Sequence, residues 1–382
     1  MPASPWFVFA GGGTGGHLFP ALAVVDALRA LGNPVDVSFF CTERPMDGEL
    51  LGAAGIDAVP QSVRPLATRP WHWPGFLLHW WRSVGLCRDM FQRRRPAAVV
   101  GAGGYASGPP VHAALGLGVP TFLLNPDAVP GRANRHLARR GRLRGIFAQW
   151  EVTRGHLPGQ APVSVTGCPV RPMFRPHVKP DRALVWRSFG LEPGLKTLLV
   201  TGASQGARTV NDAVLRVMSG LELAGWQVLH LAGAADAERV GKAYGSDGVF
   251  AVGRRVPVKA LPFTERMGEA MLSCDLVISR AGASTLAEIL AAGKPSILMP
   301  YPYHRDEHQL HNARVLVDAG AAVLVRDLKE AGANAERLCP VLRSLLGDDA
   351  KREQMGRAAR LLDRPDSAVC IARQLVNQPQ GF

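Results

Sequence analysis

Twice in this 382-residue chain a short apolar run leads directly into a glycine-rich loop and then into a stretch of helical length. Trp6–Ala10 precedes GGGTGG (11–16) and the helical stretch Pro20–Leu31. Leu198–Thr201 precedes GASQGA (202–207) and Arg208–Leu223. Buried strand, tight turn and helix are the opening of a parallel α/β sheet, and glycine serves where the backbone must turn sharply or approach a ligand closely. Further strands are expected at Val35–Phe40, Ala97–Gly101, Thr121–Leu124, Gln227–Leu231, Leu276–Ser279 and Ser296–Met299. Continuous apolar runs of this kind mark parallel strands buried on both faces. Proline-rich 171–194 reads as a domain junction, and a helix is expected near the end, about Lys351–Val376. The fold class is therefore α/β, with two Rossmann-like domains facing a cleft, at 1–172 and 173–354.

Composition narrows the function. Apolar residues make up 47 % and charged residues 20 %, an ordinary globular mix that argues against disorder. The six Cys form no C-x-x-C, which supports neither a zinc ribbon nor a dithiol pair and suits a reducing compartment. The N-terminus lacks the basic n-region of a signal peptide. Residues 96–126 carry no charge, but their six Gly and the run GAGGYASGPP fit strand, loop, helix and strand better than a membrane span. The net charge of +13 attracts nucleic acid, anionic membrane or a phosphorylated substrate, and motifs must choose among them.

A helix N-terminus behind glycines is an anion site, because unpaired N–H groups and the helix dipole point the same way. Gly11, Gly13 and Gly16 fit G-x-G-x-x-G, but the acid expected to hold a dinucleotide ribose is misplaced: Asp36 begins the second strand and Glu43 lies beyond it. No Gly-Lys-Ser/Thr follows either loop, which excludes a Walker A site. His17 directly follows the first loop, where imidazole suits general-base work, against the plainer reading of a capping histidine.

The segment 279–312 is the most informative. Gly282 and Ser284–Thr285 open a helix carrying Glu288, whose carboxylate suits the paired hydroxyls of a ribose. Its plain alternative is an exposed helix carboxylate. A polar run follows, His304, Arg305, Asp306, His308, Gln309 and Asn312, with side chains suited to sugar hydroxyls. The chain has no D-x-D, and HRDEH matches no zinc spacing, so no catalytic metal and no cofactor are expected.

GGGTGGHLFPALAV, GAGGYASGPP, DAVPGRANR, TGCPVR, GASQGAR, RAGASTLAEI and HQLHNA occur in that order. Over about residues 7–320 the chain resembles the MurG family, the UDP-N-acetylglucosamine transferases that make lipid II from lipid I in peptidoglycan synthesis. The resemblance implies the GT-B glycosyltransferase architecture, an inverting metal-free reaction and a C-terminal helix, about 355–382, packed back on the first domain. It implies UDP-GlcNAc as donor, an undecaprenyl-pyrophosphate-linked acceptor, an anionic membrane surface at the cytoplasmic face of the cell membrane, and no nucleic acid. For the donor it points to Ser204 at the phosphates, Thr264 at uracil, Ala283, Ser284, Thr285, Leu286, Ala287 and Glu288 around the nucleotide, His308 and Gln309 at the sugar, and Arg171. Thr14, Gly15, Gly16 and His17 face the donor from the first domain. For the acceptor it points to Gly13, Thr14, Gly103, Gly104, Tyr105, Ser107, Asp127 and Asn134.

One stretch departs from the family. Where the family has His-Glu-Gln-Asn before AVPG, this chain has Leu124, Asn125, Pro126 and Asp127. A carboxylate replaces an amide, and His17 or Asp127 is the expected base. Three alternatives stay open: a GT-B transferase for another lipid acceptor, a UDP-GlcNAc epimerase, and a non-catalytic nucleotide-sugar-binding protein. Arg69–Arg95 holds Trp71, Trp73, Trp80 and Trp81 interleaved with arginines, and reads as an interfacial membrane-docking segment, against the plainer reading of a domain core.

Overall fold

The computed structural model describes residues 4–13, 15–65, 73–140, 142–175, 179–202, 206–245, 248–251, 254–303 and 306–378. The chain divides into two compact units, one of Met1–Arg171 with Arg364–Phe382 and one of Pro172–Asp363.

The first unit runs β1 (Trp6–Ala10), α1 (Gly15–Ala30), β2 (Asp36–Thr42), α2 (Pro45–Ala53), β3 (Asp57–Gln61), α3 (Trp73–Arg93), β4 (Ala98–Gly101), α4 (Gly108–Gly116), β5 (Thr121–Asn125), α5 (Arg132–Ala138), β6 (Gly145–Ala148) and β7 (Val163–Val165). All seven strands are parallel, in the order β3-β2-β1-β4-β5-β6-β7. Alternate residues of β1 serve the two faces. Phe7 and Phe9 pack with Leu18, Val24 and Val25 of α1, while Trp6, Val8 and Ala10 pack with Cys87 and Phe91 of α3. The strand order reverses between β1 and β4, paired from Phe7↔Ala98 to Ala10↔Gly101. The segments after those two strands, 11–13 and 102–107, thus leave the sheet side by side. Such a switch point is where doubly wound sheets bind ligands.

The second unit comprises α6 (Arg182–Ser188), β8 (Lys196–Thr201), α7 (Arg208–Met218), β9 (Trp226–Leu231), α8 (Ala237–Tyr244), β10 (Val249–Ala251), β11 (Arg254–Val256), β12 (Val258–Leu261), α9 (Met267–Ser273), β13 (Leu276–Ser279), α10 (Ala283–Ala292), β14 (Ser296–Leu298), α11 (His308–Asp318), β15 (Ala322–Leu324), α12 (Ala331–Gly347) and α13 (Asp349–Leu362). Its main sheet is parallel in the order β12-β9-β8-β13-β14-β15, and β10–β11 form a separate antiparallel pair. The switch falls between β8 and β13, where residues 280–282 follow β13.

Two expectations need correction. The 171–194 segment is a junction only at its start. Asp181 caps α6 through the N–H groups of Ala183 and Leu184, Trp186 is fully buried, and Arg182 forms a bidentate pair with Asp275 at 2.9 and 2.6 Å. The terminal helix is two helices. Pro365 cannot donate a backbone hydrogen bond and disfavours helical backbone at Arg364. So α13 ends at Leu362 within the second unit, and α14 (Ser367–Val376) places Ile371, Ala372 and Leu375 in the core of the first.

Candidate active site

The first glycine loop is tied down by a residue from α2. The fully buried Asp47 carboxylate accepts the N–H of Gly13 at 3.0 Å and both the N–H and the hydroxyl of Thr42, at 3.2 and 2.6 Å. Arg44 donates to the Gly13 carbonyl at 2.7 Å. Gly12 has φ +138°, and a Cβ there would stand 2.3 Å from the Asp47 carboxylate, so no other residue fits. Thr14 lies outside the described residues.

His17 stands in the first turn of α1, beneath the 102–107 loop. A Cβ on Gly103, where φ is +102°, would lie 2.8 Å from His17 Nδ1, and one on Gly104 would lie 3.4 Å from its Cδ2. Both glycines let the turn close over the imidazole. Burial lowers the His17 pKa below the ordinary histidine value, while Asp127, the Ala102 backbone and Asp47 pull the other way. His17 is therefore neutral at pH 7, the form that accepts a proton. The Tyr105 ring approaches Gly13 from the same turn. Gly16 is exposed and Gly15 buried, the latter packed against the Phe19 ring. The Arg171 guanidinium stacks on that ring, 4.2 Å from its centroid.

Other first-unit candidates brace the site from behind. Ser107 is buried and donates to the Gly104 carbonyl at 2.8 Å. Asn134 is buried and donates to Leu124 O and Asn125 Oδ1 at 3.0 and 3.1 Å. Asn125 in turn donates to the Asp127 carbonyl at 2.7 Å. Within the divergent tetrapeptide, Leu124 thus faces the core, Asn125 fixes the backbone, and half-buried Asp127 acts on His17.

In the second unit, α10 starts at its cap Gly282 with the amides of Ala283, Ser284 and Thr285 at its N-terminus. The Leu286 amide is already committed to Gly282 O at 3.0 Å, and the Leu286 and Ala287 side chains are buried. Glu288 is buried, not the exposed helix carboxylate of the plainer reading. Gln309 Oε1 accepts the N–H groups of Tyr301 and Ala281 at 2.9 and 3.2 Å, and Asn312 donates to Ala281 O at 3.3 Å, which ties α11 to the loop before α10. His308 contacts Asp306 at 2.8 Å. Thr264 is half-buried just past β12, beside exposed Phe263, and its hydroxyl accepts the Arg266 N–H at 3.1 Å. Ser204, His304 and Arg305 lie outside the described residues. Among the described residues no three His, Cys, Asp or Glu side chains are grouped as metal ligands.

Helix α3 divides its aromatic residues. Ser83, Val84, Cys87 and Phe91 face inward. Trp73, Leu77, Leu78 and Trp81 are each about half exposed or more, between 49 and 59 %. Trp80 packs on Gly108 and stands edge-on to His112 at 6.2 Å, and Trp81, though exposed, also stands edge-on to His112, at 5.7 Å. Arg94 pairs with Asp36, and Arg95 caps α4 through Leu117 O and Gly118 O at 3.1 and 2.9 Å, so these two basic residues serve the fold. Arg69 and Trp71 lie outside the described residues. Among the described residues no helix is long and apolar enough to cross a membrane.

Sequence reasoning missed Asp47, and it missed Arg280. The latter is buried against Asp327 at 2.7 Å and also donates to Thr209, Met299 O and Pro300 O. Burial works against the Asp327 charge, yet hydrogen bonds from Thr209, Asn334, the Lys329 N–H and Arg280 hold its carboxyl below the usual range. An Asp just inside a helix after Pro was the available signal for Asp47. A charged residue directly after the strand Leu276–Ser279 was the signal for Arg280.

The glycosyltransferase family 28 N-terminal domain matches residues 7–142, and the family's C-terminal domain matches residues 197–369. The chain is 35 % identical over 373 residues to the UDP-N-acetylglucosamine–N-acetylmuramyl-(pentapeptide) pyrophosphoryl-undecaprenol N-acetylglucosamine transferase of Moorella thermoacetica, covering 97 % of this chain and 98 % of the relative. It is 36 % identical to the like-named protein of Chlorobaculum tepidum, with the same coverage. Among solved structures, Acinetobacter baumannii MurG matches with a TM-score of 0.73 at 25 % identity, covering 98 % of this chain and all of that one. A UDP-GlcNAc 2-epimerase from Neisseria meningitidis shares the fold alone, with a TM-score of 0.64 at 15 % identity over 98 % of this chain and all of that one. With its two parallel sheets of GT-B-like architecture, this chain belongs to the MurG family of glycosyltransferase family 28.

Proposed function

We propose that the protein transfers GlcNAc from UDP-GlcNAc to the C4 hydroxyl of lipid-linked MurNAc-pentapeptide, converting lipid I to lipid II with inversion and without a metal. The observation that carries this reading is the match, along nearly the whole chain, to relatives whose names state that transfer.

In this reading the second unit holds the donor. The α10 N-terminus receives the pyrophosphate, whose charge suits its amides and dipole. Glu288 accepts from the ribose hydroxyls, and Thr264 serves the uracil. The Gln309 oxygen is occupied by two backbone donors, which leaves Nε2 to donate to a sugar hydroxyl. The first unit holds the acceptor and the base. Neutral His17, tuned by Asp127, takes the proton of the C4 hydroxyl as the new O–C1 bond forms. The C1–phosphate bond breaks, and UDP leaves with the electron pair. Its developing charge is met by the α10 amides.

The lipid acceptor brings the enzyme to a surface. The exposed stripe of Trp73, Leu77, Leu78 and Trp81, with Arg82 and Arg88 exposed beside it, suits the interface of an anionic membrane at its cytoplasmic face.

Mass spectrometry of products from UDP-GlcNAc with a lipid I analogue tests the reading. One added HexNAc on the analogue is expected. An epimeric sugar nucleotide of unchanged mass, seen by NMR without acceptor, supports the epimerase instead, and UDP-GlcNAc binding without any product supports a non-catalytic protein.

A further inference from the structure

The tie between Asp47 and Gly13 spans 34 residues of sequence and holds the loop immediately before His17. Gly13 is gripped at both backbone polar groups, its N–H by Asp47 and its carbonyl by Arg44. Asp47 itself is held by the backbone and hydroxyl of Thr42, at the end of β2, and sits in the first turn of α2, where the helix dipole favours a carboxylate. Burying an ionised carboxylate is costly unless hydrogen bonds satisfy it. A neutral acceptor can tie a loop at lower cost, so the charge itself calls for a use.

We propose that Asp47 is a positioning residue of the transfer reaction: it locks Gly13, just before α1, so that the imidazole of His17 is held toward the acceptor hydroxyl. The proposal rests on the reading of His17 as the base. The groups facing His17 are Asp127 from the loop after β5, Asp47 from α2 and the Ala102 backbone from the loop after β4, while Tyr105 and Arg44 stand at Gly13. Of these, Asp127 and Asp47 both favour its protonated form. Removing the Asp47 charge therefore lowers the His17 pKa as well as loosening its loop.

The test uses the full chain with UDP-GlcNAc and a lipid I analogue. For Asp47→Asn, kcat is expected to fall about 100-fold, the scale of a 1 Å misplacement of a reacting group. The acid limb of the kcat/KM profile is expected to move to lower pH, and UDP affinity by calorimetry is expected to stay unchanged. Thr42→Val keeps the charge but removes the hydroxyl bond to Asp47. It is expected to lower kcat with the acid limb in place, and it decides the matter if Asp47→Asn does not fold. His17→Ala serves as reference, and adding Asp47→Asn to it is expected to change little. A His17→Ala variant with normal kcat defeats the base reading and this proposal with it. A strong loss in His17→Ala beside normal kcat and an unmoved acid limb in Asp47→Asn, or, where that variant is unfolded, normal kcat in Thr42→Val, overturns this proposal alone.

Discussion

The side-chain oxygen of Gln309 accepts the backbone N–H of Tyr301 at 2.9 Å, which fixes the orientation of the whole amide. The same oxygen holds the Ala281 N–H, so the amino group points away from the protein's own donors. Replacing Gln309 by Glu keeps those two bonds and turns a hydrogen-bond donor into an acceptor. UDP affinity is expected to stay constant while KM for UDP-GlcNAc rises roughly 10–100-fold, the worth of one such bond. Parallel titrations with UDP and UDP-GlcNAc check it, and an equal loss for both ligands contradicts the assignment.

Glu288 requires a gentler substitution than an exposed carboxylate does. It is 8 % exposed, so Glu288→Ala confounds ribose recognition with a cavity. Glu288→Gln preserves the shape, and is expected to weaken UDP binding by about 10-fold or more through loss of charge-assisted bonds. Calorimetry on the folded variant reads this directly, and unchanged UDP affinity removes Glu288 from the nucleotide site.

His17 and Asp127 are expected to act as a unit. Burial depresses the His17 pKa, so activity persists as pH falls below the ordinary histidine range and is lost when the imidazole protonates. Asp127→Asn removes a charge that favours protonation and moves that loss to still lower pH. The double variant His17→Ala with Asp127→Asn should be far less impaired than the product of the single losses. Full additivity in steady-state kinetics argues that the two residues act separately.

Docking on a membrane is expected to depend on the outward side of α3. Leu77→Ser with Leu78→Ser changes exposed residues only, so unfolding midpoints should stay put while flotation with anionic liposomes falls sharply. Binding should also fall with salt. Trp80, Arg94 and Arg95 are unsuitable probes, because they pack on Gly108, pair with Asp36 and cap α4. Flotation of the double variant at the wild-type level returns the stripe to an ordinary surface.

The second unit carries its own acid sensitivity. His230 is buried between Tyr244 and Asn211, at 2.8 and 3.0 Å, and burial pushes its pKa down to about 3. An unfolded chain binds that proton near the ordinary histidine value, so stability is full above it and is lost as pH falls toward the folded value. Within that window the loss is about 1.4 kcal/mol per pH unit. Amide exchange in β8 and β9 at pH 7.5 and pH 5 measures it, and equal protection at both contradicts it.

Sequence legibility followed range. The central strands and both switch-point loops could be read because each is a local pattern of apolar run, glycine and helix. Glu288 and Gln309 could be singled out from one continuous segment, though burial of the former was invisible there. Asp47 could not be found, since its partner Gly13 lies 34 residues away and nothing local requires the contact. Trp80 and Trp81 looked alike because adjacency alone does not say which ring is covered: both stand edge-on to His112 of α4, but only Trp80 packs on Gly108. Prolines around α6 disguised a helix whose Trp186 is wholly inside.

Nuclear magnetic resonance of the product's new glycosidic linkage, formed with a chelator present, tests the central claim most directly. Direct displacement on the α-linked donor predicts a β linkage to C4 of the MurNAc unit, formed at an undiminished rate in the chelator. An α linkage, attachment at another hydroxyl, or activity that vanishes in the chelator and returns with Mg²⁺ or Mn²⁺ would contradict it.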